Sequence, residues 1–315
     1  MSGTEIRNFR WEDLEPLTRI HNEVSGVAGS DRAFDLESIQ QMLSQPSCSA
    51  EEDCFVAVSD GSLVGFALVG CELPIGRTVA SGGVLESRRH EGIGRSLLES
   101  VVRYTSSINA SVLHVEAPSD GAEARHMLES EGFREIKRYW KMRWEGPQAP
   151  AVALQDGFEL RPFKLGQDEA ALTALQNAAF SDSWGFCPNT VEEISARVRF
   201  SRCYPEGIIF ATDGHRLAAY NWTMRTSSGD GGTGWVAMTG VHPDYRSRGL
   251  GRAVVVAGME YLKAMAVDTI ELEVDSENEP ATKLYLGLGF RPVAHGTWYE
   301  KELRQQAESP AGQAS

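Results

Sequence analysis

Two short passages combine glycines, which free the backbone, with arginines, which hold anions. They read Arg89-His90-Glu91-Gly92-Ile93-Gly94-Arg95 and Arg246-Ser247-Arg248-Gly249-Leu250-Gly251-Arg252, and they lie 157 positions apart. Each follows an apolar run ending in valine, Val84 or Val241, and each opens an amphipathic helical pattern. Neither copy has the Gly-x-x-x-x-Gly-Lys-Ser/Thr of a P-loop, and neither has the third glycine of a dinucleotide fingerprint. What remains is Arg-x-x-Gly-x-Gly-Arg at a helix start. Small residues there let the backbone close on an anion, with N–H groups and the helix dipole aimed at it. The arginines add charge-assisted bonds. This chemistry suits a pyrophosphate laid across a helix N-terminus, as in coenzyme A.

The elements that must position these loops also occur twice. The same offset carries Val115-Glu116 onto Leu272-Glu273 and Gly132-Phe133 onto Gly289-Phe290, so one fold is used twice. Upstream, Ile6-Arg7-Asn8-Phe9 resembles Leu160-Arg161-Pro162-Phe163. A strand-turn-strand run, Phe55 to Phe66, recurs as Ile208 to Tyr220 at an offset of 153, and a longer hairpin loop at Thr226–Gly232 accounts for the difference. Helical spacing follows each glycine loop, as in Leu250, Ala253, Val254, Ala257 and Tyr261. A strand comes next (Ser111 to Glu116, Thr269 to Val274), then a second helix that stops at a glycine. Each half therefore reads as strands, loop, helix, strand, helix, strand, an α+β fold with a mixed sheet and helices packed on it. The expected boundaries are a first domain over 1–146, a linker over 147–155, a second domain over 156–304 and a frayed tail over 305–315.

Composition sets outer bounds. The 315 residues suffice for two domains, and 42% hydrophobic with 23% charged residues is ordinary for a soluble globular protein. The net charge of −14 argues against non-specific nucleic-acid binding. No apolar run reaches membrane-spanning length, and the N-terminal residues lack the pattern of a signal peptide. Five cysteines without metal-ligand spacing point to a reduced, cytoplasmic protein with no metal.

On these motifs both halves resemble GNAT-type N-acetyltransferase domains, whose pattern is Gln/Arg-x-x-Gly-x-Gly/Ala after a strand. The second half adds Gly240-Val241-His242-Pro243, then Asn278 to Tyr285, then Leu288-Gly289-Phe290. The tandem arrangement, with Asn177-Ala178-Ala179-Phe180, is similar to the mycothiol synthase group. The resemblance implies tandem domains, each a mostly antiparallel sheet with a splayed parallel strand pair, and acetyl-CoA as acyl donor. It implies that Thr239, Gly240 and Val241 flank the acyl arm, with the Val241 N–H polarising the acetyl carbonyl. Arg246, Ser247, Arg248, Gly249, Leu250, Gly251 and Arg252 would hold the pyrophosphate, and Asn278 would face the cofactor arm. Tyr285 would protonate the departing thiolate as the catalytic acid.

The base is not marked. The strand before the second loop, Gly234 to Val241, has no carboxylate, and Trp235 stands where the mycothiol synthase group has a glutamate. Glu271, Glu273 and Asp275 alternate onto one face of the next strand, as either bases or a solvated face; His242 is a further candidate. In the first half the loop persists, so Val84, Arg89, Gly92, Ile93, Gly94 and Arg95 are candidate coenzyme A contacts. Asn278 and Tyr285, however, fall on Gly121 and Leu128, and leucine donates no proton. The expected function is acetyl transfer to a small-molecule primary amine by a monomer or homodimer, with chemistry in the second half. Peptide or protein N-acetylation and a non-catalytic coenzyme A-responsive binding protein are the alternatives.

Overall fold

In the computed structural model, which describes residues 3–28, 30, 32–118, 121–225 and 232–303, one twelve-stranded sheet runs through both halves. The first half contributes β1 (Glu5–Asn8), α1 (Leu14–Val24), α2 (Leu36–Leu43), α3 (Ala50–Asp53), β2 (Cys54–Ser59), β3 (Ser62–Glu72), β4 (Arg77–Val84), α4 (Ile93–Ser107), β5 (Val112–Pro118), α5 (Ala122–Ser130) and β6 (Arg134–Trp144). The second repeats the order as β7 (Glu159–Pro162), α6 (Glu169–Phe180), α7 (Val191–Arg197), β8 (Cys203–Asp213), β9 (Arg216–Arg225), β10 (Thr233–Val241), α8 (Leu250–Ala264), β11 (Thr269–Asp275), α9 (Glu279–Gly287) and β12 (Arg291–Glu302). Among the described residues only β4·β5 and β10·β11 pair in parallel, and a helix crossover joins each pair, as parallel neighbours require. The whole tail over 305–315, and all of the Thr226–Gly232 loop except Gly232, lie outside the described residues. Among the described residues no helix is long and apolar enough to cross a membrane.

The strand order is β1-β2-β3-β4-β5-β12-β6-β11-β10-β9-β8-β7. The halves have exchanged their last strands. β6 pairs with β11 of the second half, β12 pairs with β5 of the first, and β6 and β12 pair with each other. Each half therefore finishes its core with a strand from the other: Met142 and Trp144 pack with α8 and α9, while Tyr299 and Leu303 pack with α4 and β5. Within the residues read as a linker, Ala149 and Val152 lie against the second-half core.

Strand register corrects the sequence alignment. Ser59 pairs with Ser62 as Asp213 pairs with Arg216, an offset of 154 rather than 153. Arg77 then corresponds to Thr233, 156 positions on, and Val84 to Val241, 157 on. The last extra residue is not in the hairpin loop. It is a bulge at Ala237, where β10 shifts register against β9 between Val236 and Met238; β4 pairs with β3 without interruption.

The exchange makes a testable claim. Met142 is fully buried in the second-half core although it belongs to the first half of the chain. Met142→Ala should cost about 2–5 kcal/mol, and amide exchange should speed up in β11 and α8 more than in β2 and β3. Acceleration confined to β2 and β3 would contradict the exchange.

Candidate active site

The two glycine loops share one backbone shape. Ser247 and Gly249 have φ of 62° and 75°, and His90 and Gly92 have 65° and 79°. Gly249 and Gly92 are the N-caps of α8 and α4, and neither helix has a side-chain cap. The first intrahelical bonds start at Ala253 and Ser96, so the N–H groups of residues 250–252 and 93–95 point out of the helix start. Leu250 and Ile93 are buried anchors and offer a ligand only their backbone. A Cβ on Gly251 would meet Val241 Cγ2 at 3.4 Å and Leu284 Cδ2 at 3.9 Å, which is ordinary contact. The fold itself thus tolerates alanine there, and the missing Cβ leaves a cradle suited to a diphosphate.

Side chains distinguish the loops. In the second, Arg246 donates to the Ala179 carbonyl at 3.0 Å, and Arg248 lies over the Tyr245 ring and reaches the Asp244 carbonyl. Arg252 is exposed and has no hydrogen bond or ion pair among the described residues. In the first, Glu91 brings a negative charge into the loop and is held by Arg88, while Arg95 is paired with Glu131 at 2.8 Å. Both loops have the shape for an anion, but the second has the better charge.

The parallel ladders open toward these loops. β10 and β11 pair from Thr233–Thr269 to Val236–Leu272 and no further, so Met238 to Val241 have no strand partner on that edge. β4 and β5 separate likewise after Ala80–Val115. The Ala237 bulge is confined to the second half and re-aims its backbone at the mouth of the gap.

Tyr285 is buried where Thr239 faces the gap. Burial pushes its phenol above the usual range, and a hydrogen bond with Thr239 works against that. Asn221 Nδ2 donates to Thr239 Oγ1 at 2.8 Å and so fixes this hydroxyl. The fully buried Tyr220 rests against Gly240 with its phenol unpartnered, close enough to Tyr285 for the two to interact. Sequence reasoning missed Asn221 and Tyr220; their only signal is that they pair with Thr239 and Gly240 on β9. Asn278 is exposed, caps α9 by accepting from Ala281 N at 3.1 Å, and so orients the helix that carries Tyr285. His242 turns away, its Nδ1 accepting from Asp244 N at 3.3 Å. In the first half Leu128 occupies the Tyr285 position and is buried.

The opposite face of the central strands is polar and shared. Glu271, only 1% exposed, is gripped by Arg32 (3.0 Å), Arg143 (2.7 Å) and Lys141 (3.3 Å). Burial would raise its pKa, but the Arg143 hydrogen bond and the Lys141 and Arg32 charges win, so it sits below the usual range. At the matching place in the first half, Trp184 from the α6–α7 connection stacks on His114, with ring centres 5.2 Å apart, and Arg77 and Lys137 flank it. Trp235 lies under Lys141, and Trp222 is buried in the core.

Glu116 of β5 leans across Gly296, where any Cβ would collide with its carboxylate. Partial desolvation where its carboxylate lies against Gly296, with repulsion from Glu273, pushes its pKa up to about 7. Because the folded value exceeds the unfolded one, its contribution to stability is full below about pH 4.5 and lost as pH rises through 7. Glu116→Gln should therefore melt at a higher temperature than the parent at pH 8 and converge with it near pH 4. Equal differences at both pH values would show that Glu116 is not perturbed.

Known proteins share this fold. The acetyltransferase (GNAT) family model matches residues 170–290, and an acetyltransferase (GNAT) domain model matches 50–135. The mycothiol acetyltransferase of Stackebrandtia nassauensis is 31% identical over 88% of this chain and 93% of its own. That of Actinosynnema mirum is 31% identical over 89% and 92%. Among solved structures, a tandem GNAT protein from the clavulanic acid biosynthesis pathway superposes with a TM-score of 0.77 at 18% identity, covering 96% of this chain and 99% of that one. A GCN5-related N-acetyltransferase from Sphaerobacter thermophilus gives 0.74 at 20% identity, with 96% of both chains covered. The chain belongs to the GNAT acetyltransferase family, with two GNAT domains in tandem.

Proposed function

We propose that the second half moves an acetyl group from acetyl-CoA to the primary amine of a small molecule. The observation that carries this reading is the coincidence, at one end of one ladder, of three features. They are a strand edge freed beyond Val236, an uncapped helix start with the Gly251 cradle and unpaired Arg252, and a buried phenol set by Thr239. The residues present fit a coenzyme A diphosphate at Gly249–Arg252 and an acyl arm along Thr239–Val241.

The roles follow from position. Backbone N–H groups near Val241 polarise the thioester carbonyl. Tyr285, raised in pKa by burial and hence protonated at neutral pH, supplies the proton for the departing sulfur. Asn221 holds Thr239, and Thr239 orients the phenol. The first half lacks the bulge and the tyrosine and has an acid in its loop. Coenzyme A contacts through Val84, Arg89, Gly92, Ile93, Gly94 and Arg95 are therefore the weaker of the two sets, and this domain supplies structure rather than turnover. Trp235 replaces the glutamate of the mycothiol synthase group, so the acceptor is assigned as a primary amine and no further.

Thiol release from acetyl-CoA across a panel of small amines tests the reading; absence of turnover with every amine would overturn it. With an accepted amine, Tyr285→Phe should lower kcat about 100-fold or more while coenzyme A affinity by calorimetry stays within about twofold. Gly251→Ala should melt no lower than the parent, since alanine favours a helix by about 1 kcal/mol, yet bind coenzyme A more than tenfold more weakly. Unchanged affinity in that variant would remove the cradle from the site.

A further inference from the structure

The three carboxylates of β11 share a face but not a condition. Glu271 is bound by three cations, and Asp275 is paired with Lys137 at 3.0 Å. Glu273, between them, has neither hydrogen bond nor ion pair among the described residues, although its side chain is open to solvent. It is also the first residue of β11 beyond Leu272, the last rung of the ladder, so it stands at the mouth of the gap. Leu272 and Val274 pack toward α8 and α9 with Tyr285, and strand alternation sets Glu273 on the other side. The gap alone connects the two. An independent sign that it receives a ligand is the Tyr220 phenol, fully buried, unpartnered and lying over Gly240 at its edge.

We propose that Glu273 is the general base of acetyl transfer. This rests on the acetyltransferase reading above. The Glu273 carboxylate takes one proton from the acceptor ammonium. The freed nitrogen lone pair forms the C–N bond at the thioester carbonyl while the C–S bond breaks. The second nitrogen proton replaces the one that Tyr285 gives to sulfur, and Glu273 returns its proton to water. Acid and base thus work from opposite faces of one sheet.

The groups facing Glu273 are Glu116 on β5, Tyr139 and Lys141 on β6, and Glu271 and Asp275 on its own strand. Partial desolvation between the neighbouring strands and the charge of Glu271 raise its pKa, and Lys141 opposes them. A base with a raised pKa gains its active form as pH rises through that value, giving kcat/KM an acid limb above the ordinary carboxylate range. Glu116, raised to about 7 beside the Glu273 charge, still holds its proton when Glu273 loses its own, so it faces the base as a neutral neighbour and leaves this limb in place.

The test is the pH dependence of kcat/KM for the full chain and for Glu273→Gln, Glu273→Asp and Glu116→Gln, with acetyl-CoA and an amine accepted by the parent. The proposal expects Glu273→Gln to lose about 100-fold or more together with the acid limb, while coenzyme A affinity stays within about twofold. It also expects partial recovery in Glu273→Asp, and an acid limb left in place in Glu116→Gln. Glu273→Gln within about threefold of the parent, or with its acid limb intact, would overturn this assignment and leave the acetyltransferase reading standing. No turnover by the parent with any amine would overturn both.

Discussion

The end of the β10·β11 ladder at Val236–Leu272 is the constraint from which the rest follows. Two parallel strands that stay paired offer no room between them; two that part leave a strip of backbone with unmet hydrogen bonds and a passage between the faces of the sheet. The Ala237 bulge adds the residue that re-aims Thr239, Gly240 and Val241 at that passage. α8 begins directly beyond it, uncapped and with glycines at its start. One local break in hydrogen bonding thus lines up an uncapped, glycine-led helix start, an open strand edge and a buried phenol.

Strand exchange decides what surrounds this break. Because β6 and β12 cross over, neither half closes its core alone, and the polar face between them is built from both. Matching places have diverged in opposite directions. Glu271, caught by Arg32 of the first half, corresponds to His114, covered by Trp184 of the second. Tyr285 corresponds to Leu128, and the bulged β10 to the regular β4. The first half keeps the loop geometry, while Glu91 and Glu131 offset its loop charge and a leucine stands at the Tyr285 position.

The repeat, the parallel pairs, the glycine turns and the place of Tyr285 were legible because each depends on residues near one another in sequence. Gly249 and Gly92 advertise a positive φ that few other residues accept. The exchange was not legible, because β6 and β12 carry the same pattern after Gly132-Phe133 and Gly289-Phe290. Alternation tells which face a residue takes, not which partner its strand finds. The bulge was hidden for a related reason: one extra residue at Ala237 looks the same as one extra residue in a loop. Asn278, read as a cofactor contact, also caps α9, and capping by its Oδ1 is a role the sequence pattern did not mark. Glu271 and Glu273 were indistinguishable in sequence, since their difference lies in cations drawn from β6 and from Arg32.

The most direct measurement is the response of backbone amide resonances to coenzyme A. Titration should move Gly240, Val241, Leu250, Gly251 and Arg252 first, with Ile93, Gly94 and Arg95 following only at higher ligand concentration. Saturation of the first loop before the second, or an unmoved α8 start, would contradict the account.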